Sequence, residues 1–228
     1  LTVENGIALA TLASLEVVLG IDNIVFIAIL CGRLPADKQP RARFIGLSLA
    51  MLMRIGLLFS ISWVMSLTKP LFTILQFAIS GRDLILIVGG LFLIWKSTKE
   101  IHQLLEGEEG EASRAVAATF TQIILQIVII DIVFSLDSII TAVGMVSDVR
   151  IMIAAVMASV GLMMFFAGPI GRFVSAHPTV KMLALAFLLV IGVVLIADGM
   201  GNHVPKGYVY FAMAFSVFVE MLNLRMRK

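Results

Sequence analysis

Apolar residues run along this chain in long blocks, not in alternation. A membrane-spanning helix needs about 20 mostly apolar residues. Seven blocks qualify, near 6–30, 44–66, 84–104, 116–146, 151–171, 180–199 and 208–224. Stretches such as Leu183–Ile196 are apolar on every face, which reads as helix in lipid and not as the alternating strands of a barrel. Turn chemistry separates the blocks: Cys31-Gly32-Arg33-Leu34-Pro35, Thr68-Lys69-Pro70, His177-Pro178 and Val204-Pro205-Lys206-Gly207. Phe72–Ile79 is a short apolar piece of re-entrant or interfacial kind, and Glu106–Glu111 reads as a solvated acidic loop.

Composition sharpens this picture. Of the 228 residues, 60% are hydrophobic, and 18 glycines bring the apolar share to about two thirds, against about 45–50% for a soluble domain. Only 14% are charged. One soluble core could not absorb so much apolar surface, so the excess faces the lipid bilayer. An ordinary cytosolic enzyme, a disordered chain and a basic nucleic-acid binder are excluded; no nucleic acid is expected as a partner. The single Cys31 excludes a disulfide framework. No basic stretch precedes the first apolar block, so no cleavable signal peptide is expected.

The bases set an orientation. Arg33, Lys38, Arg41, Arg43, Lys96, Lys99, Arg114, Arg172, Lys181, Arg225, Arg227 and Lys228 fall on one side by loop parity, and Lys69, Arg82, Arg150 and Lys206 on the other. The positive-inside rule then puts the N-terminus outside the cell membrane and the C-terminus in the cytoplasm. Arg54 is left within the second block.

A repeat emerges around the acids. Glu16-Val-Val-Leu-Gly-Ile-Asp22-Asn23-Ile24 matches Asp131-Ile-Val-Phe-Ser-Leu-Asp137-Ser138-Ile139 at an offset of 115 residues. The second copy sits three spans further on, an odd number, so it enters the membrane upside down. The expected fold is an all-α polytopic membrane protein, a single membrane domain over 1–228. Its parts are a first three-helix repeat at 6–104, an inverted second repeat at 116–199 and an additional helix at 208–224. Secondary transporters are built this way, with their sites near the midplane.

Each intramembrane charge costs about 2.5–3.5 kcal/mol or more. Glu16, Asp22, Asp131 and Asp137 would together cost on the order of 10 kcal/mol if unpaired, so protons, Arg54 or a bound cation must neutralise them. Six residues of regular helix advance about 9 Å and leave two side chains about 120° apart. The acids within one copy therefore cannot converge unless the helix opens near Gly20 and Ser135. Opened, it would let Asp22, Asn23, Asp137 and Ser138 meet as metal ligands, with Glu16 and Asp131 as gating acids or as ligands in another state. Carboxylates, an amide oxygen, a hydroxyl and carbonyls form a hard donor set suited to Mn²⁺, Ca²⁺ or Mg²⁺. Arg54 reads equally as a counter-ion or gating residue of the empty site and as a structural salt bridge.

The remaining features carry less. Thirteen methionines are scattered as packing filler. Trp63 and Trp95 stand at span ends as interfacial anchors, and Asp198 and Glu220 read as interfacial. No P-loop and no HExxH occurs. Two aspartates on adjacent spans with GxGD would mark an intramembrane protease, and GxGD is absent. No enzyme activity and no cofactor is expected.

Leu15–Phe26 together with Asp131–Val143 strongly resembles the TerC family of integral membrane proteins, and Asp83–Lys96 and His203–Met213 are similar to a bacterial inner-membrane branch of it. The resemblance covers essentially the whole chain. It implies a bacterial inner (plasma) membrane location, a transporter ancestry, Mn²⁺ as the exported ion and site residues at Glu16, Asp22, Asn23, Asp131, Asp137 and Ser138. Two functions compete: a secondary transporter exporting a divalent cation, and a non-transporting membrane partner protein in envelope stress or metallation of secreted proteins. Oligomeric state is left open, a homo-oligomer included.

Overall fold

The computed structural model describes residues 3–74, 77–106, 120–146 and 148–226. The chain folds as α1 (Val3–Cys31), α2 (Gln39–Phe59), a short α3 (Ile61–Ser66), strands β1 (Pro70–Ile74) and β2 (Phe77–Ser80), then α4 (Gly81–Glu106), α5 (Phe120–Met145), α6 (Val149–Ala176), α7 (Pro178–Gly199) and α8 (Lys206–Met226). This is an all-α, multi-span membrane protein, with one β-hairpin among the described residues. Among the described residues, α2, α5, α6, α7 and the Gly207–Met226 part of α8 are each long and apolar enough to cross a membrane, and the bent α1 makes a sixth. α4 has the length but carries Arg82, Asp83, Lys96, Lys99 and Glu100. Length and composition therefore give five or six spans where the sequence pattern suggests seven.

Local chemistry explains the boundaries. Proline opens α2 and α7, where its missing N–H is no loss and its fixed φ suits the first turn. Ser80 and Asp83 cap α4 reciprocally: Ser80 Oγ accepts from the Asp83 N–H at 3.2 Å, and Asp83 Oδ2 accepts from the Ser80 N–H at 2.9 Å. α7 ends at Gly199 and is stopped by Gly201, where φ is +81°. Asn202 N–H reaches Ala197 O at 2.9 Å and Gly201 N–H reaches Asp198 O at 3.1 Å, the paired bonds of a Schellman stop, which only glycine enters without strain. Phe72–Ile79, the short apolar piece, is a β-hairpin pairing Phe72 with Ile79, Thr73 with Ala78 and Ile74 with Phe77. A two-stranded ribbon has open edges that hydrocarbon cannot satisfy.

Two compact units result, residues 1–69 with 116–175 and residues 70–115 with 176–228. Each draws helices from both halves of the sequence. In the first, α5 packs against α1, α2 and α3, burying Ile123, Ile127, Ile130, Val133, Leu136 and Ile139. Gly46 of α2 lets Ile127 of α5 come close.

In the second unit, α4 and α7 pack as a close antiparallel pair. A Cβ on Gly90 would stand 2.5 Å from Gly192 O and 2.7 Å from Ile196 Cγ1; one on Gly192 would stand 2.9 Å from Gly90 O and 2.8 Å from Ile94 Cγ1. The contact is reciprocal, Gly90 and Ile94 meeting Gly192 and Ile196. Gly199 meets Asp83 O and Ile87 in the same manner, at 2.7 Å each. Small residues draw the helices into direct backbone contact, the main attraction left to helices in lipid, which gives no hydrophobic drive for association.

Candidate site: a guanidinium between two motif acids

α1 stays helical through both acids of its motif, but its axis turns by 42° between Asn5–Val18 and Asn23–Cys31. α5 runs without a break from Phe120 to Met145, so the expected opening at Ser135 does not occur. Side chains satisfy the polar groups instead. Ser135 Oγ donates to Asp131 Oδ2 one turn back at 3.1 Å, and Ser138 Oγ donates to Ser135 O at 3.1 Å.

An unbroken helix sorts the motif by phase. Residues seven apart differ by about 20° around the axis, residues six apart by about 120°. Asp131 and Ser138 therefore share one stripe of α5; on α1, whose axis turns between Glu16 and Asn23, the facing stripe is set by contacts, Glu16 reaching Arg54 and Asn23 reaching Asp131. Asp137 stands off that stripe and is half-buried.

Arg54 of α2 reaches between these stripes. Its Nη1 donates to Glu16 Oε2 at 2.6 Å and its Nη2 to Asp131 Oδ1 at 2.6 Å. Nε also donates to both Asp131 oxygens at 3.2 Å. Asn23 Nδ2 adds a bond to Asp131 Oδ1 at 2.9 Å. The exposures are 4% for Arg54, 4% for Glu16 and 5% for Asp131. At such burial an unpaired charge would cost several kcal/mol. A planar guanidinium can hold two carboxylates at once because its donors form a rigid fork.

The two acids are not held alike. Asp131 receives bonds from Arg54, Asn23 and Ser135. Glu16 receives Arg54 Nη1 and lines a small cavity with Leu12, Leu58, Ile139, Ala142, Met152, Ala155 and Val156. That cavity, about 10 Å³, is the size of a single water.

The expected residues thus divide. Glu16, Asn23, Asp131 and Arg54 come together, with Ser135 added. Ser138 is buried but turns to a backbone carbonyl. Asp137 accepts from Thr141 Oγ1 through its own carbonyl at 2.9 Å. The side chain of Asp22 lies outside the described residues, as do Gly107–Glu111 of the acidic loop. Among the described residues, no three of His, Cys, Asp and Glu gather as a ready metal site. Among the described residues, the acids that meet are the first of each copy, brought together by arginine; the expected meeting of Asp22 with Asp137 falls on a side chain outside them.

Further buried charges lie in the second unit. Lys96 and Glu100 of α4 pair at 3.3 Å, both buried. Lys96 is thus no loop-edge base, and the lysine-to-glutamate spacing of four was the available signal. Asp198, expected at the interface, is buried too; its Oδ1 accepts from the Val204 N–H at 3.2 Å and lies 3.3 Å from His203 Nδ1. Cys31 is fully buried with a free thiol.

A helix pair carrying equivalent buried acids in two copies of one motif matches the residues on which the TerC resemblance rests. The family described as "Integral membrane protein TerC family" matches residues 1–228. The chain belongs to that family. A Haemophilus influenzae relative called "UPF0053 protein" is 57% identical over 226 residues, 99% of this chain and 95% of its own length. The "UPF0053 inner membrane protein YgdQ" of Escherichia coli K12 is 56% identical over 218 residues, 96% of this chain and 92% of its own. The "UPF0053 inner membrane protein YoaE" of the same strain is 52% identical over 94% of this chain, which spans only 42% of that longer protein. No solved structure matches the chain. The family description names a membrane protein and no catalytic activity.

Proposed function

We propose that the protein is a secondary transporter of the bacterial inner membrane that exports a divalent metal cation, Mn²⁺ first among the candidates, through the carboxylates of its paired motif. The observation that carries this reading is the meeting of Glu16 and Asp131 on one guanidinium. They hold the same place in the two motif copies and are buried on separate spans. Two carboxylates match the charge of a divalent ion, and their oxygens suit a hard one. Asp22, Asn23, Asp137 and Ser138 complete the proposed ligand set along the transport path.

The wider architecture is proposed with it. Counting α4 as a span gives seven, with the N-terminus periplasmic and the C-terminus cytoplasmic. The reciprocal Gly90–Gly192 contact between α4 and α7 supports pairing the third helix of each inverted repeat. The inner-membrane names of relatives such as YgdQ support the location. Manganese rests on the family resemblance alone.

The test is Mn²⁺ flux into proteoliposomes containing the purified protein, compared with Asp131→Asn. Wild-type flux that the substitution abolishes in protein that still folds supports the reading. A wild-type protein that folds and moves no Mn²⁺, Ca²⁺ or Mg²⁺ overturns it in favour of a non-transporting membrane partner protein.

A further inference from the structure

We infer that Arg54 is a tethered stand-in for the transported cation: it occupies the Glu16–Asp131 pair when no metal is bound, and so lets the unloaded carrier reorient. This inference rests on the transporter reading above and assigns the step that reading leaves open, the return of the empty site.

Three observations lead to it. First, the guanidinium sits between the acids and not beside one of them, at 2.6 Å from an oxygen of each. Second, α1 and α5 contain no base, and α6 carries Arg150 and Arg172 only near its ends. α2 holds Arg41 and Arg43 near its start, so among the described residues Arg54 is the buried base of this unit. Third, the charges do not close. Two carboxylates carry −2, and one guanidinium leaves −1. A divalent cation would bring the pair to zero, so metal displaces the guanidinium on charge from at least one acid. When metal leaves, the tether returns the guanidinium at high effective concentration. Without it, two bare carboxylates would have to cross a low-dielectric interior, at several kcal/mol each.

Arginine suits this role because it keeps its charge at every working pH. The return step then requires no proton on these two acids. Lysine could offer the charge but not the fork, so it could hold only one acid well at a time.

The experiment separates exchange from net transport. Wild type, Arg54→Gln and Arg54→Lys are reconstituted into proteoliposomes. Mn²⁺-for-Mn²⁺ counterflow is measured with Mn²⁺ on both sides, and net efflux with Mn²⁺ on one side only. Equilibrium Mn²⁺ binding to each purified protein is measured by calorimetry. Exchange cycles only the loaded carrier, whereas net efflux needs the empty return. Arg54→Gln is expected to keep exchange, to lose net efflux and to bind Mn²⁺ on the order of tenfold more tightly, because a tethered competitor is gone. Arg54→Lys is expected to lower the ratio of net efflux to exchange severalfold.

Glu16→Gln/Arg54→Gln, which removes one charge of each sign, guards against loss of folding. It should fold, and it should bind Mn²⁺ more weakly than Arg54→Gln or, if that variant does not fold, than wild type. Unchanged net efflux in folded Arg54→Gln overturns the inference. So does weakened Mn²⁺ binding by that variant, or an unchanged flux ratio in Arg54→Lys. A wild type silent in both assays instead takes down the transporter reading, and this inference with it.

Discussion

Asn23 and Asp131 lie 108 residues apart in the chain, yet the Asn23 amide donates to the Asp131 carboxylate across 2.9 Å. The bond joins the last polar residue of one motif copy to the first acid of the other. Replacing Asn23 with Leu removes a donor to a buried charge, which should cost about 1–3 kcal/mol. Thermal unfolding of the purified protein in detergent should show a lower Tm. An unchanged Tm would mean the amide is not needed to hold Asp131.

The unequal holding of the two acids predicts unequal costs. Asp131→Asn breaks the fork of Arg54 and disturbs the bonds from Asn23 and Ser135, so it should destabilise by about 3–5 kcal/mol. Glu16→Gln loses one ion pair beside a small cavity and should cost clearly less. Chemical denaturation of both variants, with an Arg54→Gln cycle to measure coupling, reads the difference directly. Equal losses would contradict the asymmetry in the geometry.

Close packing of α4 on α7 gives a sharper test. Gly192→Ala would press a methyl to 2.9 Å from the Gly90 carbonyl and 2.8 Å from Ile94, an overpacking expected to cost about 1–3 kcal/mol. Gly56→Ala meets nothing within 4 Å and should be neutral or slightly stabilising, since alanine is the better helix former. The two melting temperatures should separate by several degrees.

The stop at Gly201 predicts a backbone effect without a packing effect. Gly201→Ala holds a Cβ at a φ of +81° with open space around it, so the expected loss of about 1 kcal/mol comes from strain alone. Gly207→Ala, also in open space and without a positive φ, serves as the control. Both are read by thermal unfolding.

Membrane orientation can be checked with cysteines. The native Cys31 is fully buried, so it gives little background with an impermeant maleimide. Asn202→Cys should label in intact cells, and Asp37→Cys only after permeabilisation. The opposite pattern would invert the topology drawn from the bases.

Much of this was legible in the sequence, and the failures have physical causes. The acids had to be neutralised because hydrocarbon does not tolerate bare charge, and Arg54 was the base placed to do it. The six-residue spacing bars two acids from converging on a straight helix and pointed to an opening, which α5 does without. It drew attention from the seven-residue spacing, by which Asp131 and Ser138 share a face of α5 with no break at all. The hairpin at Pro70–Ser80 was hidden because a short, mostly apolar stretch fits a strand pair or a helical turn equally well. Ser60, where α2 gives way to α3, lies inside one apolar block and offers no turn signal. Pro169 did not end α6, which runs on to Ala176; the expected end at residue 171 followed the hydrophobic pattern, which fades before the helix does.

The glycine crossing of α4 and α7 limits how those helices can move. Side chains between helices can change rotamer and let one helix slide past the other. Here a carbonyl rests where a side chain would be, and Ile94, Ile196 and Ile87 flank the contact. Sliding by one turn would bring an isoleucine against a backbone shaped for glycine. The pair is therefore keyed in register, and any rearrangement in which α4 and α7 take part has to carry them together.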